Sequence, residues 1–284
     1  MQNKSILGIL LMIAGTFTLG VNDIIVKGLS FKFPIWEIVF FRALSGLILS
    51  IFLIIIFGNA TIRTKKPIAH LIRAFSSSFC VVLFFFGIKF LLLSENQAIF
   101  HTAPIIASIL AIPILSEKIG FHRIVAISIG FIGTLIILKP GTDLFKIYSL
   151  IPLASAFFMA ISYLATRYLM KTESSVAIIF YYSLALFFTS LFFLPKNFIM
   201  PNLYELIPLT LIGIVGSLGH FFLSQSAKNA EVTVITPFEY TSFIFVTLLA
   251  FIFYNQIPDI SIYIGAIFII ISGIYIIYRE QKRF

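Results

Sequence analysis

This chain of 284 residues is poor in the groups that most soluble proteins depend on. It has one cysteine and one tryptophan, and only 11% of its residues are charged, where soluble domains carry roughly 25%. A lone Cys80 excludes a disulfide framework and a thiolate metal cluster. There is no GxSxG, no HExxH and no P-loop, and paired carboxylates never share a helix face, so no catalytic constellation stands out. Without a P-loop the chain cannot hydrolyse ATP by itself. The net charge of +9 does not point to nucleic acid, because the basic residues are scattered between apolar runs and gather on no soluble face. No cofactor is implied by anything in the sequence.

What the chain does have is hydrophobicity, at 60% of its residues. Apolar runs of about 20 residues, separated by charges and turn residues, are the signature of membrane helices. Ten such runs are predicted, at 5–26, 34–57, 70–93, 95–115, 123–139, 149–170, 175–195, 205–227, 232–254 and 260–278. The first follows a single lysine and has no small-residue cleavage site behind it, so it reads as a retained span. With the N-terminus inside, the larger share of Lys and Arg falls on the cytoplasmic side, including Lys4, Arg63, Lys65, Lys66, Arg73, Lys118 and Lys282. Both termini are therefore expected in the cytoplasm. The expected fold is an all-α integral membrane protein.

Two segments share a layout. Thr102–Gly133 and Thr241–Gly273 each hold an apolar helix, a polar turn ("SEK", "NQ") and a glycine-bearing helix. Setting Glu117 against Gln256 places Thr102 on Thr241 and Ala126 on Gly265. Five helices per half would make the second half, 141–284, an upside-down copy of the first, 1–140. Inverted repeats of this kind are a common transporter plan, with the substrate site near the midplane between them.

The segments "LGVNDIIVK" (Leu19–Lys27), "PIWEIVFFRA" (Pro34–Ala43), "TAPIIASILAIPILSEKI" (Thr102–Ile119) and "TSFIFVTLLAFIFYNQIPD" (Thr241–Asp259) together resemble the drug/metabolite transporter superfamily. The likeness is to its EamA-type carriers with two five-helix repeats, and it covers essentially the whole chain. The second repeat departs at Phe243, where many members have proline, and at Gln256, where they have a boundary glutamate. The "ND…K" of the first span and "TPFEYT" of the ninth look similar to a branch that includes bacterial S-adenosylmethionine carriers. The resemblance implies a secondary transporter in a bacterial inner membrane, moving a small polar or amphipathic metabolite by alternating access. S-adenosylmethionine or an amino acid is one substrate class it implies, and riboflavin or another metabolite or drug is the other. An intramembrane enzyme and a non-transporting membrane subunit are the rivals from other classes. The expected partners are a small-molecule substrate and the bilayer, and both a monomer and a homodimer are compatible with the sequence.

Polar residues inside the spans are the candidate site. A charge near a bilayer centre costs about 2.5–3.5 kcal/mol on insertion scales, so each needs a reason. At roughly 1.5 Å per residue, Arg42 and His101 fall about 6 Å from the middle on the outer side, and His220 and Glu239 a similar depth on the cytoplasmic side. Glu239 either faces a cavity, pairing with a cationic group or taking up a proton, or fixes packing through His220 or a backbone group. Pro237 beside it would free carbonyls to line a cavity. Arg42 either contacts substrate or locks to Asp23 in the first span. Asn22 and Asp23 also fit as plain interfacial residues. His101 and His220 fit as proton carriers, ligands or packed core residues, and their spacing argues against a metal site. Tyr163, Tyr182 and Tyr240 offer hydroxyls to a substrate or belong to interfacial belts. If the carrier moves S-adenosylmethionine, Glu239 suits its sulfonium or amino group and Arg42 its carboxylate.

Overall fold

The computed structural model describes residues 2–57, 62, 64–115, 121–139, 146–169, 172–173, 175–194, 198–230 and 235–281. Among them there are helices and turns and no strand. The first three helices are α1 (Gln2–Leu29), α2 (Ile35–Phe57) and α3 (Pro67–Phe90), the last opening on a proline whose missing N–H costs nothing in a first turn. Then come α4 (Leu93–Phe100), α5 (Ala103–Leu115) and α6 (Phe121–Leu138). A 3₁₀ turn, Ile147–Ser149, leads into α7 (Leu150–Leu169), followed by α8 (Ser175–Phe192) and α9 (Leu203–Asn229). A second 3₁₀ turn, Thr236–Tyr240, runs into α10 (Thr241–Tyr254), and α11 (Ile260–Gln281) closes the chain.

Among the described residues, five helical segments are long and apolar enough to cross a bilayer: Ile6–Leu29, Ile35–Ile56, Pro67–Phe90, Ile147–Thr166 and Leu203–Leu223. Shorter apolar helices lie at Ile124–Leu138, Phe180–Phe192, Phe238–Tyr254 and Ile260–Tyr275. The run at 95–115, expected as one span, is instead two helices, α4 and α5, broken at His101–Thr102. The "SEK" turn at Ser116–Lys118 lies outside the described residues. Large side chains such as Ile55, Phe131 and Ile252 point outward, as expected where lipid rather than water is the solvent.

Among the described residues, the interior has two apolar clusters. One gathers Val26, Ile38, Phe85, Leu186 and Ile212 from α1, α2, α3, α8 and α9. The other gathers Ile99, Ile105, Ala126, Phe243 and Ile269 from α4, α5, α6, α10 and α11. Trp36 packs on the first cluster and stacks on Phe193 at 4.6 Å.

Several helix contacts come in pairs. If α1, α2 and α3 match α7, α8 and α9, the α1–α9 contact becomes the α7–α3 contact, and α2–α9 becomes α8–α3. The pairs α2–α8 and α6–α11 map onto themselves. The α6–α11 seam obeys the rule at atomic detail. Ser272 Oγ donates to Ala126 O at 2.5 Å, while Gly133 packs on Gly265, where an added Cβ would stand 2.7 Å from the Gly265 carbonyl. Matching Ala126 with Gly265 and Gly133 with Ser272 exchanges these two contacts. Such small residues let backbones approach closely where lipid supplies no hydrophobic drive between helices.

Candidate functional site

Two helix breaks define the site, and they fall at corresponding residues. Between α4 and α5, Pro104 has no N–H for the Phe100 carbonyl, so the helical ladder cannot run through. His101 and Thr102 form a turn, and Thr102 Oγ1 donates to Ile99 O at 2.8 Å. In the second half, Pro237 opens the 3₁₀ turn and Thr241 starts α10, with Thr241 Oγ1 donating to Phe238 O at 2.6 Å. Thr102 and Thr241 are the pair that the sequence set against each other.

These breaks meet. Gln97 Nε2 donates to Ser242 Oγ at 3.0 Å, and Ser242 Oγ lies 3.0 Å from His101 Nε2. The His101 ring lies 5.0 Å from the Tyr240 ring, tilted by 50°. Thr16 of α1 joins at 3.0 Å from Thr241 Oγ1, and Tyr163 of α7 donates its hydroxyl to Glu239 Oε1 at 3.2 Å. Gln97 Oε1 and Tyr240 Oη are buried without a partner. Tyr240 fits because α11 has a glycine, Gly273, against its hydroxyl. The register is also braced from outside. Asn255 adopts the left-handed conformation at the end of α10, with φ of 50°. The turn it makes carries Gln256 onto α4, where Gln256 Oε1 accepts from Leu93 N at 3.0 Å. Gln256, read from sequence as a departure, thus satisfies an otherwise unpaired donor of α4's first turn.

A second polar cluster joins α1, α2 and α9. Arg42 Nη1 donates to Asn22 Oδ1 at 2.9 Å, and Asn22 Nδ2 donates to Ile212 O at 2.7 Å. The guanidinium lies over the Phe85 ring at 5.3 Å and against Gly216, where an added Cβ would stand 2.8 Å from Nη1. The expected Arg42–Asp23 lock is therefore corrected. Asn22 takes the hydrogen bond, and Asp23, also buried, feels the arginine's charge without forming an ion pair. The guanidinium, held over Phe85 and against Gly216, is aimed at the Asn22 side chain.

The two layers drawn from depth are also regrouped. His101 belongs with Tyr240, not with Arg42. His220 is exposed on α9, within range of the Arg42 and Arg73 charges, and the hydrogen bond described for Glu239 is to Tyr163. Depth along a span says nothing of azimuth, and azimuth decided the pairs. Tyr182 on α8 lies half-buried, its ring 5.5 Å from the Arg73 guanidinium.

Sequence reasoning missed Gln97, Ser242, Arg73 and Lys27. Gln97 and His101 sit one helical turn apart, a pairing that was legible. Arg73, counted as a loop charge, is inside α3 and donates to Ile178 O at 2.8 Å and Thr166 Oγ1 at 3.2 Å. Lys27 is buried and donates to the carbonyls of Ile88 at 2.5 Å and Leu91 at 3.0 Å, placing a cation on the negative end of α3. Among the described residues no cluster of His, Cys, Asp or Glu has the makings of a metal site.

A fold of apolar helices in which two broken helices meet is a plan that carriers use. The chain belongs to the EamA-like transporter family, whose model matches it twice, at residues 6–139 and 146–279. It is 27% identical over 275 residues to the S-adenosylmethionine uptake transporter of Rickettsia prowazekii (strain Madrid E), covering 97% of this chain and 94% of that one. It is likewise 27% identical over 269 residues to the pseudopaline exporter CntI of Pseudomonas aeruginosa, covering 94% of each. A crystal structure at 15% identity shares its fold, with a TM-score of 0.65 over 99% of this chain and 98% of that one.

Proposed function

We propose that this chain is a ten-span secondary carrier of a bacterial inner membrane, with both termini cytoplasmic, built from inverted repeats at 1–140 and 141–284. In this reading it moves S-adenosylmethionine, or an amino-acid-like metabolite of similar charge, by alternating access, and it catalyses no reaction. The observation that carries the reading is the meeting of the two breaks, Gln97 and His101 against Tyr240 and Ser242. Irregular backbone at membrane depth is tolerated where it is buried in protein or lines a cavity, and carriers place their sites there.

The charges fit such a substrate. Glu239 accepts one hydrogen bond from Tyr163 and, with its remaining lone pairs, can take an ammonium or face a sulfonium. Arg42 keeps donors beyond the one given to Asn22 and can take a carboxylate. The Rickettsia relative's name supports this substrate; the Pseudomonas relative's name supports a different cargo and outward direction.

Counterflow in proteoliposomes preloaded with unlabelled metabolite tests it. Labelled S-adenosylmethionine should accumulate, while riboflavin should not. Glu239→Gln should slow exchange by about tenfold or more, the loss of one charge-assisted contact. Exchange of riboflavin alone would keep the carrier and discard the substrate. Wild-type rates and unchanged pH dependence in Glu239→Gln would remove that carboxylate from the mechanism.

A further inference from the structure

Two arginines inside the helices, Arg42 and Arg73, form no ion pair among the described residues. Neutral groups hold them instead. Arg42 Nη1 donates to Asn22 Oδ1, while Arg73 donates through Nε to Thr166 Oγ1 and through Nη1 to Ile178 O. Each guanidinium also lies over an aromatic ring, Phe85 at 5.3 Å and Tyr182 at 5.5 Å. A guanidinium has five N–H donors, so both keep several to give. Cations at membrane depth are costly and mark where an anion or water reaches them.

Their places correspond. Arg42 belongs to the cluster of α1, α2 and α9, and the matching helices, α7, α8 and α3, hold Arg73. Arg42 follows Ile35, the start of α2, by the same seven residues that separate Tyr182 from Ser175, the start of α8. Arg73 of α3, lying over Tyr182, thus brings to the second cluster the guanidinium that α8 lacks. Tyr182 Oη is buried without a partner. The two arginines also sit towards opposite ends. Lys27 fastens the end of α1 to the end of α3, and α2 starts just after α1, so α2 begins where α3 finishes. Arg42 is then about 10 Å from one end and Arg73 about 9 Å from the other, with about 15 Å of the axis between them. Open space joins them. His220 lies one turn along α9 from Gly216, which packs on Arg42; it is exposed, and both arginine charges reach it.

We propose that Arg73 is a second anion-binding residue, taking the substrate's carboxylate near the end where α3 begins, as Arg42 takes it nearer the other end. This rests on the carrier reading above, in which Arg42 meets that carboxylate. Tyr182 Oη donates beside Arg73. Each guanidinium is tied to its own set of helices, so one carboxylate meets the two in turn as access alternates.

Exchange in proteoliposomes of one orientation, read from each face in turn, tests this with labelled S-adenosylmethionine and its decarboxylated form as competitor. Arg73→Gln should raise the half-saturating concentration of S-adenosylmethionine about tenfold at the face where α3 begins, the worth of one charge-assisted contact. The other face should be unchanged, and Arg42→Gln should do the reverse. The decarboxylated competitor should inhibit wild type and Arg73→Gln equally. If an amino acid is the solute exchanged, it and its amine take the same places. A loss shared by both faces, a loss shared by the decarboxylated competitor, or no loss in Arg73→Gln would overturn the proposal and leave the carrier intact. Wild type that exchanges no carboxylate-bearing solute would overturn the carrier's substrate and this proposal together. If Arg73→Gln does not fold, Arg73→Lys, which keeps the charge and loses the planar fork, decides by the same comparisons.

Discussion

Gly273→Ala should break the site without touching any charge. Gly273 lies against the Tyr240 hydroxyl, and an added Cβ would fall well inside contact distance of Oη and 2.7 Å from Cζ. A tyrosine ring cannot bend away, so the whole side chain must swing, and it packs against His101 at 5.0 Å. Overpacking of this kind costs about 1–3 kcal/mol, and losing the ring pair about 0.5–1.5 kcal/mol more, so a destabilisation of about 2–4 kcal/mol is expected. Tyr240→Phe alone should be close to neutral, since the hydroxyl it removes has no partner. In the double variant the worst contact is gone and only the ring carbons remain tight, so part of the loss should return, a positive coupling in a double-mutant cycle. Thermal unfolding of the four proteins in one detergent reads the cycle, and counterflow on the same samples reports whether the helix breaks still function together. Equal melting temperatures for wild type and Gly273→Ala, or no recovery in the double variant, would refute the packing argument.

Three further perturbations test the frame around the site. Lys27→Met should cost about 1.5–3 kcal/mol, the range for hydrogen bonds to a charged group, because the α3 carbonyls lose their donor; thermal unfolding measures it. Gln256→Ala should cost about 0.5–2 kcal/mol, the range for losing a helix cap, and faster amide exchange at Leu93 would show that the loss is local. Asp259 is held below its ordinary value chiefly by the hydrogen bond from Lys139, at 2.7 Å. The stability this gives is present above the unfolded value, about 3.9, and lost as pH falls through the lower folded one. Asp259→Asn should therefore differ from wild type only at the upper end of an acid titration of melting temperature, and by little, since the pair is exposed.

Much of this protein was readable before any coordinates. Continuous apolar runs of about 20 residues read as membrane helices, because a helix bonds its own backbone whereas barrel strands are shorter and alternate in polarity, and that set the all-helical class. The helix breaks were not read: 95–115 and 232–254 were each expected as one span, although Pro104 and Pro237 lie within them. The candidate residues were found because a polar group in an apolar span is costly enough to stand out. What they touch was not legible. Arg42 chose Asn22 over Asp23, His101 chose Tyr240 and Ser242, and Lys27 reached α3 across more than sixty residues of chain. One-dimensional depth fixes how far along a helix a group sits. Only packing fixes the rotation of each helix about its axis, through contacts such as Gly216 against Arg42 and Gly273 against Tyr240. The sequence thus determined which residues must be explained, and the tertiary structure decided which of them meet.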